Sequence, residues 1–217
     1  LAPYTWQLVK EMKEGRALFT QPPMPIKCAG APQKAMYLSG DAWFRRGVLK
    51  NIDIQFMNAG GVLFGVKDYV PALESYIQKY GATLNFFHNL IAVDGPAKKA
   101  TFAVNAPDTE PTTVEVAFDM MHVCPPQVAP DFIRVSPLAD AAGWVDVDHA
   151  TLRHRVFDNV WSLGDVMNAP NAKTAAAARK QAPVVAENIA VRLKSRGRYV
   201  SRGGDKLQGA LEDLGLC

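Results

Sequence analysis

Apolar residues in the first hundred positions follow two periods that take turns along the chain. Short apolar runs typical of buried strands alternate with segments in which apolar residues recur at about every third or fourth position, as in helices. Strands are expected over residues 15–20, 51–59 and within 82–95, and helices over 32–46 and 66–81. Gly81 follows the second helix and is predicted to end it. This order predicts an α/β domain with a Rossmann-like, doubly wound parallel sheet.

The period changes to two after residue 98. Residues 98–104 and 114–123 alternate apolar and polar positions on either side of a polar loop, which predicts an antiparallel β-hairpin lying against the sheet. The following residues, 124–159, are rich in proline and are predicted to form an irregular connection with one short strand near 144–147.

The segment "VWSLGDVMNAPNAKTAAAARKQAP", residues 160–183, is the strongest candidate for a ligand site. A strand is expected to end at Gly164 and Asp165, where the glycine lets a ligand approach the backbone and the carboxylate accepts hydrogen bonds from ligand hydroxyls. A helix predicted from about Thr174 to Val191 would direct its positive end at an anionic or electron-rich ring edge. In the alternative interpretation, Asp165 is an ordinary cap or loop carboxylate and the four alanines only pack a helix on a sheet. The combination of the Gly-Asp pair, Lys173 and the small-residue helix favours a ligand.

Composition is that of an ordinary soluble globular protein, with 48% hydrophobic and 21% charged residues in a chain of 217. Residues 1–191 contain equal numbers of basic and acidic side chains, so the net charge of +3 belongs to the end of the chain. Nucleic-acid binding is therefore not expected except through the arginine-rich tail. The cysteine count is odd and the three cysteines are far apart, which favours a reducing compartment over a disulfide framework.

Cys28 is the candidate catalytic residue. It lies beside Lys27 in "KCAGAP", where the first strand is predicted to turn into the first helix, so the helix dipole and the lysine both favour the thiolate that a nucleophile needs. An inert, buried thiol is the alternative. The turn lacks the Gly-x-Gly-x-x-Gly pattern, so it is poorly suited to a nicotinamide nucleotide.

The histidines and tryptophans contribute no further site. The four histidines do not have the spacing of metal ligands, so no metal is predicted, and structural roles are expected for them: His88, His122, His149 and His154. Trp144 and Trp161 are predicted to belong to the core.

Four blocks of the sequence carry a resemblance to a known family: "PIKCAGAPQKAMYL", "FGVKDYVPAL", "HVCPPQVAPDFIRVSPLADAAGWVDVD" and "GDVMNAPNAKTAAAARKQAP". Together they resemble the sulfide:quinone oxidoreductases, flavoproteins built from two dinucleotide-binding domains and related to the disulfide oxidoreductases. The resemblance implies an FAD cofactor, sulfide and quinone as substrates, and Cys28 as one of two redox cysteines. It also implies that Gly164, Asp165, Lys173 and Thr174 contact the flavin.

The resemblance implies a division of the chain as well. Residues 1–150 would form the second, nucleotide-like domain, residues 151–194 a returning segment of the FAD-binding domain, and residues 195–217 an unrelated basic tail. The N-terminal flavin-binding half of the family is missing ahead of Leu1, so this chain is expected to be a soluble fragment that is inactive alone, with that half and a second copy as candidate partners. The complete family member is expected to be peripheral on the cytoplasmic side of the bacterial inner membrane.

Two other thiols and the tail leave alternatives open. The family's second redox cysteine belongs to a Cys-Pro element beyond the alanine helix, whereas the Cys-Pro pair at Cys124 stands elsewhere and is expected to be a packed loop thiol rather than a redox partner. Residues 199–216 resemble the linker of hemolysin-like ribosomal RNA 2'-O-methyltransferases. A non-catalytic interaction module, or RNA binding through the tail, remains the alternative function.

Overall fold

The computed structural model describes residues 1–196, and the chain divides into two compact units between Gln127 and Val128. The first unit contains the predicted Rossmann-like sheet, and the described part of the second contains the candidate ligand segment. The functional division predicted at residues 150 and 194 stays a prediction. Most of the basic tail, including the resemblance over residues 199–216, lies outside the described residues.

The first unit is built on a four-stranded parallel sheet with strand order β3-β2-β1-β7. The strands are β1 (Gly15–Gln21), β2 (Ile52–Asn58), β3 (Thr83–Phe86) and β7 (Met120–His122). The helices are α1 (Ala2–Glu11), α2 (Gly30–Arg45), which connects β1 to β2, and α3 (Val70–Tyr80), which connects β2 to β3. Gly81 caps α3 in the left-handed conformation with φ 61°, as predicted, because a residue without Cβ adopts it without strain.

A three-stranded antiparallel sheet of order β4-β5-β6 accompanies the parallel one. Its strands are β4 (His88–Asp94), β5 (Lys99–Val104) and β6 (Thr112–Ala117). The predicted hairpin is therefore β5 and β6, extended by β4. The second hairpin strand was predicted over residues 114–123, but its last part forms the separate strand β7, which pairs with β1 and aligns His122 with Phe19.

Strand β1 is buried on both faces, which explains its unbroken apolar run. Ala17 and Phe19 pack with Met36 and Trp43 in the core beneath the helices. Leu18 points the other way and packs with residues of the antiparallel sheet, among them Phe102. Successive side chains of a strand point to opposite faces, so a strand covered on both sides cannot show polar alternation.

The described part of the second unit has little regular strand structure. It contains the short helix α4 (Asp131–Arg134), a 3₁₀ turn at Gly164–Val166 and the long helix α5 (Ala175–Arg196). Isolated bridges, including Val145 with Met167 and Arg153 with Trp161, hold the irregular segments together. Its core is formed by Val145, Val147, Leu152, Met167 and Ala169.

The structure differs from the sequence prediction at residues 160–165, for which a strand was expected. Trp161 makes only an isolated bridge, and the chain then enters the 3₁₀ turn. Gly164 has φ 76°, a left-handed conformation that interrupts an extended strand. The helix that follows begins one residue after the predicted start, at Ala175.

Candidate functional site

Cys28 lies in the connection between β1 and α2, as predicted. It has φ 65°, and its carbonyl oxygen accepts a hydrogen bond from the Ala31 N–H at 2.9 Å, which starts the first turn of α2. The N-cap residue of α2, Ala29, has no side-chain acceptor for the free N–H groups of that turn. The half-buried Cys28 therefore stands at a helix N-terminus that no side chain caps, where a negative charge is favoured.

A loop between β2 and α3 packs beside this N-terminus. Phe64 lies 3.8 Å from the position that a Cβ on Gly30 would occupy. The amide of the buried Gln33 donates to the Leu63 carbonyl, and the amide of the buried Asn58 donates to the Val62 carbonyl at 2.9 Å. Two buried side chains thus hold the loop in place and keep an aromatic ring next to the first turn of α2.

Cys124 has a different environment. Its backbone N–H donates to the Thr20 hydroxyl at 3.0 Å, and its residue lines a cleft of about 210 Å³ at the carboxyl ends of β1 and β7. Burial raises the pKa of the Cys124 thiol, which disfavours the thiolate. These contacts favour a packed thiol over a nucleophile.

Gly164 and Asp165 form a tight turn in the second unit. The Gly164 N–H donates to Oε1 of Gln181 at 2.8 Å, and a Cβ on Gly164 would lie 3.8 Å from the Cβ of Ala178. The glycine turn therefore packs directly on α5. Asp165 is exposed at this turn, where its carboxylate is accessible to a ligand.

Thr174 begins helix α5. Its hydroxyl oxygen accepts a hydrogen bond from the Ala177 N–H at 3.1 Å, the usual interaction of an N-cap threonine. Ala175 and Ala176 follow with exposed side chains, so a large group can approach the first turn without steric conflict. Thr174, Ala178 and Gln181 are separated by four and three positions and lie on one face of the helix.

Lys173 is buried, with 5% of its surface exposed. Its ammonium group donates to the Met167 carbonyl and lies 4.1 Å from the centroid of the Trp144 ring. Trp144 is itself buried, as the sequence predicted. These contacts tie the segment before α5 to the core of the second unit.

The buried polar groups of the second unit include one that a bound dinucleotide could satisfy. Gln181 is 7% exposed, and its Nε2 has no hydrogen-bond partner among the described residues. This unpaired donor belongs to the amide that binds the Gly164 N–H, so it lies next to the turn that Gly164 forms with the exposed Asp165. The donor set and the small residues around it fit the polar groups of a dinucleotide.

His154 and His122 have packed environments. Nδ1 of the buried His154 accepts the N–H groups of Val156 and Phe157 at 3.0 and 3.1 Å, which leaves Nε2 to donate to the Leu138 carbonyl. Burial lowers the pKa of His122, whose ring lies 6.0 Å from that of Phe19. Across residues 1–196, no group of three or more potential metal ligands comes together.

Two solved structures have a similar fold. The sulfide:quinone oxidoreductase of Aquifex aeolicus superposes with a TM-score of 0.65 at 14% identity. The superposition covers 89% of this chain and 47% of that chain. The thioredoxin reductase of T. acidophilum gives a TM-score of 0.57 at 16% identity, with 87% of this chain covering 56% of that chain. The chain therefore shares the fold of these two proteins.

Sequence comparison tests the resemblance to the sulfide:quinone oxidoreductases. The chain is 44% identical over 193 residues to "Sulfide:quinone oxidoreductase, mitochondrial" of Mus musculus, and 41% identical over 187 residues to the protein of that name in Dictyostelium discoideum. The two matches cover 88% and 85% of this chain, which confirms the resemblance to sulfide:quinone oxidoreductases. The chain spans only 42% and 40% of the length of these relatives.

Other comparisons add little. No family model matches the chain. The relatives give no support to the methyltransferase resemblance of residues 199–216. None of the described helices combines the length and apolar character required to cross a bilayer.

The predicted site residues thus fall into two groups, with Cys28 in the first unit and Gly164, Asp165, Lys173 and Thr174 together in the second. Sequence reasoning missed Gln181 and the contact between Trp144 and Lys173. Helical spacing from Thr174 was a usable signal for Gln181, because the two residues lie seven positions apart on one face. The contact with Trp144 carried no local signal.

Proposed function

We propose that this chain forms the sulfur-accepting part of an FAD-dependent sulfide:quinone oxidoreductase. Sulfide is oxidised at Cys28, and the electrons pass through FAD to a quinone. The observation that carries the proposal is the 44% identity over 193 residues to a protein of that name.

The environment of Cys28 supports the role of sulfur acceptor. Cys28 stands beside the uncapped N-terminus of α2, where the helix dipole favours negative charge, and Phe64 packs next to Gly30 in the first turn of that helix. In the proposed reaction, a bond forms between the cysteine sulfur and the sulfide sulfur, the sulfur–hydrogen bonds of the pair break and release their protons to water, and two electrons leave the sulfur pair. Bound FAD supplies the two-electron acceptor, and quinone is the final oxidant.

The turn at Gly164 and the start of α5 would hold the cofactor. Gly164 lets the ligand approach the backbone, Asp165 accepts hydrogen bonds from hydroxyl groups, and Thr174 holds the first turn of α5 in place beneath an electron-rich edge. For Lys173, the contacts with Met167 and Trp144 support a positioning role. It would shape the segment that precedes the helix instead of placing its charge on the flavin.

A flavin-binding half of the family type and a second copy of the chain are the proposed macromolecular partners. The proposed setting of the complete protein is peripheral to a membrane, where quinone is found. The sequence predicted a bacterial inner membrane, whereas the relatives are named mitochondrial, so the compartment is proposed only as far as the quinone-containing membrane.

The test is sulfide-dependent bleaching of bound flavin. FAD is added to the chain alone and to the chain mixed with the N-terminal half of the mouse relative, and sulfide is then added without oxygen. Wild-type protein and Cys124→Ser should bleach, whereas Cys28→Ser should keep its yellow colour. Bleaching by Cys28→Ser at the wild-type rate, or no FAD uptake in either form, would contradict the proposal.

A further inference from the structure

Gln181 carries a buried amide that is only half used. Its residue is 7% exposed, and its Oε1 accepts the Gly164 N–H at 2.8 Å. A backbone N–H is always a donor, so the atom facing it must be the amide oxygen. The orientation of the amide is therefore determined, and the other atom is the Nε2 donor.

Nε2 of Gln181 has no partner within residues 1–196. Buried polar groups in folded proteins are nearly always hydrogen-bonded, because a donor removed from water without compensation destabilises the fold. The other buried glutamine, Gln33, uses both ends of its amide, accepting from Tyr37 and donating to Leu63. The Nε2 donor of Gln181 therefore requires a hydrogen-bond acceptor that the described residues do not supply.

The position of this donor restricts what the acceptor is. Nε2 shares its amide with the oxygen bound to Gly164, so it lies next to the glycine turn. Gln181 also follows Ala178, whose small side chain packs against that turn. The donor therefore lies next to the Gly164–Asp165 turn, where the proposed cofactor would bind.

We propose that Gln181 binds the flavin directly, with Nε2 donating a hydrogen bond to an oxygen or nitrogen acceptor of the isoalloxazine ring. This inference rests on the proposed function. An amide donor suits an acceptor atom of the ring edge, whereas Asp165, which only accepts, suits the hydroxyl groups of the ligand. The same amide holds the Gly164 turn, so one side chain both shapes the site and contacts the cofactor.

Two substitutions separate these two roles. Gln181→Glu keeps an oxygen for the Gly164 N–H and removes the donor, while Gln181→Met removes both and conserves the volume of the side chain. The matched control is Asn188→Asp on the same helix, because the Asn188 amide donates to the Thr151 and Val184 carbonyls at 3.2 and 2.8 Å and faces no ligand.

The experiment measures FAD affinity by fluorescence titration, the absorption spectrum of the bound flavin and the melting temperature without ligand. It uses the 217-residue chain, alone or with the mouse N-terminal half, in whichever form takes up FAD. Loss of one hydrogen bond predicts about tenfold weaker FAD binding for both Gln181 variants. The spectrum of the bound flavin should also shift, whereas Asn188→Asp should change only the melting temperature.

The outcomes distinguish this inference from the proposed function. If the wild type takes up no FAD in either form, both the proposed function and the role of Gln181 are refuted. If the wild type binds FAD and the two Gln181 variants bind it equally well with an unchanged spectrum, only the role of Gln181 is overturned. An equal loss of affinity in Asn188→Asp would attribute the effect to general destabilisation and would also overturn it.

Discussion

Lys173 offers the sharpest test of how the second unit is built. The sequence suggests that its charge serves a flavin, while the structure buries the ammonium group against the Met167 carbonyl and the Trp144 ring. Lys173→Met removes the charge and nearly conserves the length of the side chain. If the lysine is a structural brace, this substitution should destabilise the fold before any cofactor is added.

The expected loss follows from the two contacts. A desolvated cation–π interaction contributes roughly 2 kcal/mol, and a hydrogen bond from a charged group contributes roughly 1.5–3 kcal/mol. Removing a buried ammonium group also relieves a desolvation cost of about the same size as one of these terms. The net decrease in the free energy of unfolding is therefore about 2 kcal/mol.

Urea unfolding followed by circular dichroism measures this loss. With a denaturant dependence of about 2 kcal/mol per molar urea, the midpoint should fall by about 1 M. Lys180→Met is the matched control, because Lys180 is exposed on α5 and a surface substitution should stay within about 0.5 kcal/mol. A Lys173→Met variant that is as stable as the wild type but binds FAD poorly would refute the structural role of Lys173. It would support a direct interaction of the lysine charge with the flavin.

Two further predictions concern the first unit. Burial lowers the pKa of His122 from its ordinary value of 6.5, so as the pH falls this histidine is protonated in the unfolded state before it is protonated in the folded state. The free energy of unfolding should therefore decrease as the pH drops from about 6.5 to 5. Urea midpoints measured across this pH range should fall less steeply in His122→Gln than in the wild type. The control His149→Gln, at an exposed position, should keep the wild-type slope. An unchanged slope in His122→Gln would contradict the assignment of this pH dependence to His122. Gly40→Ala places a Cβ 2.9 Å from Cγ of Tyr80, so overpacking, partly offset by helix propensity, should cost about 1–2 kcal/mol. Gly65→Ala, which meets no atom within 4 Å, should not be destabilised, and equal melting temperatures for the two variants would count against the steric argument.

Sequence alone determined the alternation of strands and helices from β1 to β3 in the first unit, although it did not predict helix α1. Apolar periodicity and a glycine cap such as Gly81 are local properties, because they depend on neighbours a few positions away. The resemblance to sulfide:quinone oxidoreductases was equally readable, since it rests on contiguous blocks of residues. Cys28 was located by the same means, at a strand-to-helix connection that is visible in the pattern.

The tertiary structure decided which partners each segment found. The hairpin pattern did not reveal that β7 leaves the antiparallel strands to pair with β1, because strand pairing joins residues that are about a hundred positions apart. The 3₁₀ turn at Gly164 replaced the expected strand because the backbone there packs on Ala178 of α5. The contacts of Lys173 with Trp144 and of Gly164 with Gln181 likewise join distant positions. Local sequence determines which elements form, whereas the burial of polar groups at the site depends on contacts that only the folded chain brings together.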